Sequence, residues 1–209
     1  MEEGTRFVLF DFDGVIADSL ALSFDVSRIL NPELDETSYR ALYEGNIYES
    51  IRKLSGWQEK DRTQEYFSEF SPRMKSEVRL VPGMDAVVRE LSASYRLAII
   101  SSTPSSAIRD FLAWNQFAEC FVEVLGRDVD HSKVKKMQML FDTYGTSAAQ
   151  CVYITDTLGD MREAQQHDMG TIGVSWGVHP RETLEKGIPF RIVERPADLP
   201  DTVDEYFAR

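Results

Sequence analysis

The amino-acid sequence predicts an α/β fold: a doubly wound parallel sheet that carries an inserted all-helical segment. Three observations support this prediction. Short apolar runs recur along the chain, and runs of this length suit parallel strands that are covered on both faces. Helical patterns lie between the runs, and such alternation implies right-handed crossovers and a parallel sheet. One long stretch after the first run has helical patterns only, which indicates an insert.

The predicted strands are the apolar runs themselves. The first, RFVLF, ends in the acidic, glycine-containing segment DFDGV. Their length is that of a strand rather than of a helix. The runs lie at 6–10, 96–100, 120–125, 151–155, 171–176 and, more weakly, 190–193.

Helices are predicted between these strands, where apolar side chains recur at i, i+3 and i+4 spacing. They cover 83–93, 104–114, 132–144 and 158–168. Pro104 stands at the start of one of them, where its fixed φ favours a first helical turn. Together with the strands, these helices predict a Rossmann-like α/β core made of residues 1–16 and 80–209.

Residues 17–79 contain no convincing strand but several helical patterns. The patterns cover 18–30, 37–44, 46–55 and 59–78. An Asn-Pro pair at 31–32 and a Ser-Gly pair at 55–56 supply breaks between them. We therefore predict an all-helical cap at 17–79, with hinges near 14–17 and 78–82.

Composition excludes several classes of protein. The 209 residues are 43% apolar and 28% charged, as in ordinary soluble globular proteins. A net charge of −12 argues against a surface for nucleic acid or for an anionic membrane. No apolar run approaches the ~18–20 residues of a membrane span, and the acidic start MEEGTR is unlike a secretory signal. Cys120 and Cys151 supply no disulfide framework, so we expect a cytoplasmic protein, as a monomer or a homodimer.

Acidic residues follow two of the predicted strands, at the sheet edge where ligands gather in parallel α/β folds. Asp11 and Asp13 follow the first strand; Asp156 follows CVYIT, and Asp160 comes four residues later. A four-residue spacing lets Asp156 and Asp160 face one point. Converging carboxylates repel one another unless a cation or a proton lies among them. Oxygen ligands select a hard ion, and with a phosphate nearby they favour Mg²⁺.

Polar residues at a third strand end predict a phosphate site. Ser101 and Ser102 follow RLAII, where a hydroxyl and the N–H groups that open the next helix can bind a phosphate. Lys133, at the start of helix 132–144, can supply a balancing cation. Lys136 lies one turn further along and is a rival for that role.

These residues resemble the four ordered motifs of the haloacid dehalogenase-like superfamily. The motifs are Asp11-Phe12-Asp13-Gly14-Val15, the strand-end Ser101, a lysine at a helix start, and Asp156-Thr157-Leu158-Gly159-Asp160. The resemblance covers nearly the whole chain, and it includes Pro-Gly at 82–83 and GVSWG at 173–177. Four motifs in order are far more specific than one. The helical insert resembles the cap of the phosphoglycolate phosphatase and β-phosphoglucomutase branch.

The resemblance implies a role for each acid. Asp11 would attack phosphorus and form an aspartyl-phosphate, and Asp13 would protonate the leaving oxygen and later take a proton from water. Asp11, the backbone carbonyl of Asp13 and Asp156 would hold Mg²⁺, with Asp160 supporting these ligands from behind or through a water. Dehalogenases of this superfamily lack an acid two residues after the nucleophile, so Asp13 favours phosphoryl transfer.

Two positions depart from the superfamily pattern. The segment HSKVKK lacks the common Lys-Pro pair and offers Lys133, Lys135 and Lys136. The fourth motif has Thr155 before Asp156, where glycine or aspartate is usual, which leaves one fewer acid near the metal. Neither departure removes a required group.

The leading hypothesis is a phosphatase that hydrolyses a small phosphorylated metabolite beneath the cap. A sugar phosphomutase would need cationic cap residues, but the loop YEGNIYES (43–50) has none, and Arg52 is the nearest. That loop resembles the family's substrate-selecting loop, and it is equally well explained as a plain helix connection. Outside enzymes, the alternative is a phospho-accepting signalling module, although such modules usually lack a helical insert and the second aspartate.

Overall fold

A computed structural model of the chain describes residues 5–54 and 62–209. In these ranges the strands are β1 (Phe7–Phe10), β2 (Ala17–Asp18), β3 (Arg79–Leu80), β4 (Arg96–Ile100), β5 (Phe121–Leu125), β6 (Cys151–Thr155), β7 (Gly170–Val174) and β8 (Arg191–Val193). The α-helices are α1 (Leu20–Leu30), α2 (Glu36–Ala41), α3 (Ile47–Ile51), α4 (Thr63–Glu77), α5 (Met84–Ser94), α6 (Ser105–Trp114), α7 (Lys133–Tyr144), α8 (Leu158–Gln165), α9 (Arg181–Leu184) and α10 (Leu199–Phe207).

Six of these strands form one parallel sheet in the order β5-β4-β1-β6-β7-β8. Strand β1 is central: Val8 pairs with Leu97 of β4 on one side and with Val152 of β6 on the other. The predicted doubly wound parallel sheet is confirmed. Because parallel strands end at one edge, the residues that follow β1, β4 and β6 come together there.

Strand β1 is apolar throughout because helices cover both faces of the sheet. Phe7 and Leu9 pack in a cluster with Leu140 of α7. Val8 and Phe10, which alternate with them, belong to a second cluster that includes side chains of α5, α6 and α10. All four β1 side chains are fully buried. This two-sided core anchors the strand from which the acidic residues emerge.

Between β2 and β3 the described residues form helices α1 to α4, which we call the helical stretch. An antiparallel two-stranded ribbon bounds this stretch, and in it Ala17 pairs with Leu80. The prediction that 17–79 contains no strand was wrong at these ends, because two-residue strands are too short to leave a periodic pattern. The division into a core (1–16 and 80–209) and a cap (17–79) stays a prediction.

Helix α4 runs from Thr63 to Glu77, inside the predicted pattern 59–78. The predicted break at 55–56 and the first residues of that pattern lie outside the described residues. Phe70 and Met74 of α4 are buried in the same cluster as Val8 of β1. The helical stretch and the sheet therefore share one continuous apolar core.

Helix α10 was missed by the sequence analysis, which predicted nothing beyond the last strand. Leu199, Val203 and Phe207, spaced four residues apart, are buried on one face of it, and the helix packs against α5. This is an amphipathic pattern that periodicity alone could have identified. Neither α10 nor any other helix in the described part of the chain is long and apolar enough to cross a membrane.

Candidate active site

Asp11 is the first residue after β1 and remains attached to the sheet, since its N–H donates to the Ile154 carbonyl at 2.9 Å. Its side chain is buried. Oδ1 accepts from the Phe12 N–H at 2.7 Å, and Oδ2 lies 2.9 Å from Lys133 Nζ. Burial raises the pKa of Asp11 well above its ordinary value, and the charge of Lys133 opposes that rise. A desolvated carboxylate thus stands beside a cation at the sheet edge.

A tight turn returns Asp13 to the same edge. Gly14 adopts a left-handed φ of +73°, which glycine accepts without steric cost. Asp13 Oδ1 accepts from Ser19 Oγ, and Oδ2 accepts from Thr103 Oγ1, both at 2.7 Å. Burial raises the pKa of Asp13, and these two hydrogen bonds oppose the rise. Hydroxyl protons can rotate, so both oxygens are held without being locked in one protonation state.

Lys133 joins two of the four predicted acids. It is the first residue of α7 and is 4% exposed. Its Nζ lies 2.9 Å from Asp11 Oδ2 and 2.7 Å from Asp160 Oδ2, and it donates to the Tyr153 hydroxyl at 3.0 Å. Burial alone would lower the pKa of Lys133, but attraction to the two carboxylates outweighs it and raises that pKa. Lys133 is therefore a charged side chain in the site.

Lys136 lies on the same helix but has a different task. It is fully buried, and its Nζ donates to the backbone carbonyl of Ser101 at 2.5 Å and to that of Gly126 at 3.5 Å. Burial, with Lys133 close by, lowers the pKa of Lys136 to about 8. Lys136 thus ties the loop after β4 to the loop after β5, whereas Lys133 faces the carboxylates.

Asp156 follows β6 and is fully buried. Its Oδ2 accepts from the Val178 N–H at 2.7 Å, whereas Oδ1 is buried without a hydrogen-bond partner among the described residues. Two glycines pack closely around this carboxylate: a Cβ on Gly14 or Gly177 would lie 2.1 or 2.2 Å from Oδ2. Burial raises the pKa of Asp156 to about 7. An unsatisfied, buried carboxylate oxygen is costly unless a cation or a proton reaches it.

Asp160 lies behind Lys133, in the first turn of α8. Its Oδ2 accepts from Lys133 Nζ and from Thr155 Oγ1, each at 2.7 Å. Burial raises the pKa of Asp160, but the charge and hydrogen bond of Lys133 outweigh burial and lower it. The Thr157 hydroxyl caps the helix by accepting from the Asp160 N–H at 3.2 Å. Asp160 is therefore ionised and directs Lys133 toward Asp11.

Ser101 and Ser102 follow β4 and border the same cavity as Asp11. Ser101 is fully buried, and its Oγ accepts from the Thr103 N–H at 3.1 Å. The Ser102 carbonyl accepts from the Tyr48 hydroxyl at 3.1 Å, which joins this loop to α3. The structure thus brings all the predicted site residues to one sheet edge.

Sequence reasoning missed several residues that hold this arrangement. Thr103 positions Asp13, and Tyr153 of β6 contacts both Lys133 and Asp160. Glu163 accepts from the Lys133 N–H and from Asn46 Nδ2, both at 3.1 Å. None carries a local sequence signal, because each acts on residues distant in the chain.

One cavity joins this edge to the helical stretch. Its volume is about 1160 Å³, including the part open to solvent, and α1 to α4 supply most of the surface opposite the acids. The 43–50 loop forms part of the lining through Tyr43, Gly45, Ile47 and Tyr48. This loop is a helix connection, a 3-10 turn that leads into α3, and it also faces the cavity.

Comparison with known proteins places this architecture in a family. The haloacid dehalogenase-like hydrolase family matches residues 8–174, which include every predicted site residue. A phosphoglycolate phosphatase of Synechococcus elongatus is 27% identical over 95% of this chain and 97% of its own. A phosphoglycolate phosphatase of Psychrobacter arcticus is 25% identical over 82% of this chain and 84% of its own.

A solved structure agrees with these relatives. A haloacid dehalogenase-like hydrolase of Streptococcus pneumoniae superposes with a TM-score of 0.80 at 22% identity, over 95% of this chain and 98% of the other. The family match makes this chain a hydrolase, and its acidic sheet edge lies under a helical stretch. The chain belongs to the haloacid dehalogenase-like hydrolase family, and it resembles the phosphoglycolate phosphatase branch.

Proposed function

We propose that this phosphatase hydrolyses small phosphate monoesters through an aspartyl-phosphate at Asp11, with Mg²⁺ as its cofactor. The observation that carries the proposal is the charged contact of Lys133 with Asp11, at 2.9 Å, beside an Asp13 that two hydroxyls hold. One carboxylate is thereby available as nucleophile and a second as acid–base catalyst. The family and the names of the relatives agree with this reaction class.

Asp11 is the proposed nucleophile. One of its oxygens forms a bond to phosphorus while the ester oxygen leaves, and Asp13 gives that oxygen its proton. Water then attacks the aspartyl-phosphate, Asp13 takes a proton from the water, and inorganic phosphate is released. Burial raises the pKa of Asp13, which favours the protonated form that a general acid needs.

The residues at the sheet edge fit a magnesium ion. The unpartnered Oδ1 of Asp156 is an unused oxygen ligand, and Gly14 and Gly177 make room for this carboxylate, since a Cβ on either would collide with it. Asp11, Asp156 and the backbone carbonyl of Asp13 would hold the ion, with Asp160 supporting them. When bound, Mg²⁺ would neutralise charge on the phosphoryl oxygens.

The described residues contain no group of three or more histidine, cysteine or acidic side chains spaced as a metal cage. This is compatible with Mg²⁺, which usually takes one or two carboxylates and fills its shell with waters and substrate phosphate. A site of this kind is completed by the substrate rather than by the protein alone.

Ser101, Ser102 and Lys133 are the proposed phosphate ligands. Lys133 supplies the positive charge, and the polar groups of the loop after β4 supply hydrogen-bond donors. Lys136 is proposed to position that loop, because it holds the Ser101 carbonyl and does not face the acids. We therefore do not propose Lys136 as a phosphate ligand.

The proposed substrate is a small phosphorylated metabolite that binds in the cavity between the core and the cap. Helices α1 to α4 wall the cavity opposite Asp11, which limits the size of the leaving group. Since relatives are named phosphoglycolate phosphatases, 2-phosphoglycolate is a natural first substrate to test.

The test measures phosphate release from p-nitrophenyl phosphate and from a panel of phosphorylated metabolites, with Mg²⁺ or with EDTA. We expect Mg²⁺-dependent release by the wild type and none by Asp11→Asn. An exposed aspartate, changed in Asp201→Asn, serves as the matched control and should keep full activity. Release that survives Asp11→Asn would refute the nucleophile. A folded wild type that releases phosphate from no ester would refute the phosphatase and favour a mutase or a signalling module.

A further inference from the structure

Four hydroxyl groups form a continuous chain in the part of the cavity wall made by the helical stretch. Tyr66 of α4 contacts Ser23 of α1 at 2.6 Å; Tyr39 of α2 donates to Ser23 at 2.7 Å; and Tyr43 contacts Tyr39 at 2.8 Å. We call Ser23, Tyr39, Tyr43 and Tyr66 the hydroxyl chain. All four side chains line the cavity that contains Asp11.

The hydroxyl chain is uncharged. Ser23 and Tyr39 are buried. Burial raises the pKa of Tyr39 and Tyr66 well above the ordinary value, and it raises the pKa of Tyr43 to about 12. Each tyrosine is therefore a neutral phenol at any physiological pH.

The hydroxyl chain has one more donor proton than its internal hydrogen bonds use. Four hydroxyls carry four protons, and three contacts join them, so one proton has no acceptor within the chain. Because Tyr39 donates to Ser23, the proton of Tyr43 is the one that joins it to Tyr39. The unused proton therefore belongs to the Ser23–Tyr66 end. Among the described residues no acceptor outside the chain takes this proton, so an oxygen that enters the cavity can accept it.

The position of this end separates it from the leaving oxygen. Ser19, which holds Asp13, and Ser23 lie one helical turn apart, a rise of roughly 6 Å. The leaving group that satisfies the hydroxyl chain must therefore carry a second oxygen, distinct from its ester oxygen.

The charge around the hydroxyl chain selects a neutral partner. A carboxylate on the substrate would need a cation beside the hydroxyl chain. Among the described residues that line the cavity, Lys133 is the one cation, and Asp11 and Asp160 already pair with it.

We propose that the hydroxyl chain is a specificity site that hydrogen-bonds an uncharged hydroxyl of the leaving alcohol. The preferred substrates are then phosphate esters of alcohols that carry a further neutral hydroxyl, in preference to esters of hydroxy acids. This inference rests on the proposed phosphatase activity. It assigns substrate selection to Ser23 and Tyr66, which neither bind phosphate nor take part in the chemistry.

The experiment compares kcat/KM for linear alkyl phosphates of three to five carbons with that for the same esters bearing a terminal hydroxyl. We expect the wild type to favour the hydroxylated ester at one of these lengths by about two- to tenfold, the worth of one net hydrogen bond. The ratio should fall in Tyr66→Phe and in Ser23→Ala, and approach one in the double variant. Tyr95→Phe, which removes a phenol that bonds Asp204 on the surface, should keep the wild-type ratio.

Two outcomes would overturn the inference while leaving the phosphatase intact. One is turnover of both ester series at equal kcat/KM by the wild type. The other is a preference for the hydroxylated ester, or for 2-phosphoglycolate, that survives the double variant in a folded protein. If no ester is turned over at all, the proposed function itself fails, so the two failures are distinguishable.

Discussion

The two sides of the cavity are polar in different ways. On the sheet side lies what we call the charged floor, made of Asp11, Asp13, Asp156, Asp160 and Lys133. The charge state of each of these groups depends on the charges of its neighbours. On the helical side, the hydroxyl chain is neutral, and three hydrogen bonds join its members. Buried charges are expensive to leave unpaired, whereas neutral hydroxyls lose little when one contact is removed. We call the helical side with its hydroxyl chain the wall. Substitutions in the charged floor should therefore reduce stability and activity far more than substitutions in the wall.

The largest effect is expected at Asp13, the proposed acid–base group of the floor. Asp13→Asn should reduce kcat by about 10²- to 10⁴-fold with an alkyl phosphate, the usual contribution of acid–base catalysis. The loss should be smaller with p-nitrophenyl phosphate, whose leaving oxygen needs little protonation. Steady-state kinetics on both esters checks this, with Asp201→Asn as the control. Equal losses on the two esters would show that Asp13 does not act as the acid.

Lys133 tests how strongly the floor depends on paired charge. Lys133→Met leaves two buried carboxylates, Asp11 and Asp160, without their cation, and it should lower the free energy of unfolding by about 3–5 kcal/mol. Lys135→Met, two residues away and exposed, should cost less than about 1 kcal/mol. Urea denaturation at neutral pH measures both. If the two variants were equally stable, the floor would not be held together by charge.

Lys136 should make the free energy of unfolding depend on pH. Its pKa is lowered to about 8 in the folded protein, so between pH 8 and the ordinary lysine value the unfolded chain binds more protons. Stability therefore rises with pH across this window, by about 3 kcal/mol from this group. Denaturation at pH 8 and pH 10.5 should show the wild type gaining stability relative to Lys136→Met. If the difference in free energy of unfolding between the wild type and Lys136→Met were the same at both pH values, the pKa of Lys136 would not be lowered by folding.

The smallest effect is expected in the wall. Tyr39→Phe removes the donor to Ser23 and the acceptor of Tyr43, and it should lower the free energy of unfolding by about 1 kcal/mol. Activity toward p-nitrophenyl phosphate should fall by no more than about threefold, because this ester offers the chain no hydroxyl. A loss comparable with that of Asp13→Asn would erase the distinction between floor and wall. Thermal unfolding and initial rates measure the two quantities.

The floor could be predicted from sequence and the wall could not, for a physical reason. Asp11 and Asp13 follow a buried apolar run, and parallel strands end at one edge, so local pattern and topology suffice to gather the acids. Ser23 and Tyr66 lie far apart in sequence, and only the packing of α1 against α4 brings them together. Their hydroxyls carry no periodic or compositional signal.

The two lysines show where pattern fails even within one helix. Lys133 and Lys136 are three residues apart and therefore share a helix face, so spacing cannot choose between them. The choice depends on strand order, which places Asp11 and Asp160 next to Lys133 and the Ser101 carbonyl next to Lys136. The same dependence on neighbouring strands hid the bond from Thr103 to Asp13.

The β2–β3 ribbon has an evolutionary consequence. The chain enters the helical stretch after β2 and leaves it at β3, and Ala17 and Leu80 are paired, so they are separated by about 5 Å whatever lies between them. A segment at this point can therefore lengthen without displacing Asp11, and Asp13 keeps its partner as long as Ser19 is retained. A transplanted segment must then reproduce the packing contacts that Phe70 and Met74 make with the core. New substrate ranges can thus arise by exchange of the segment between Ser19 and β3, while the catalytic residues are inherited unchanged.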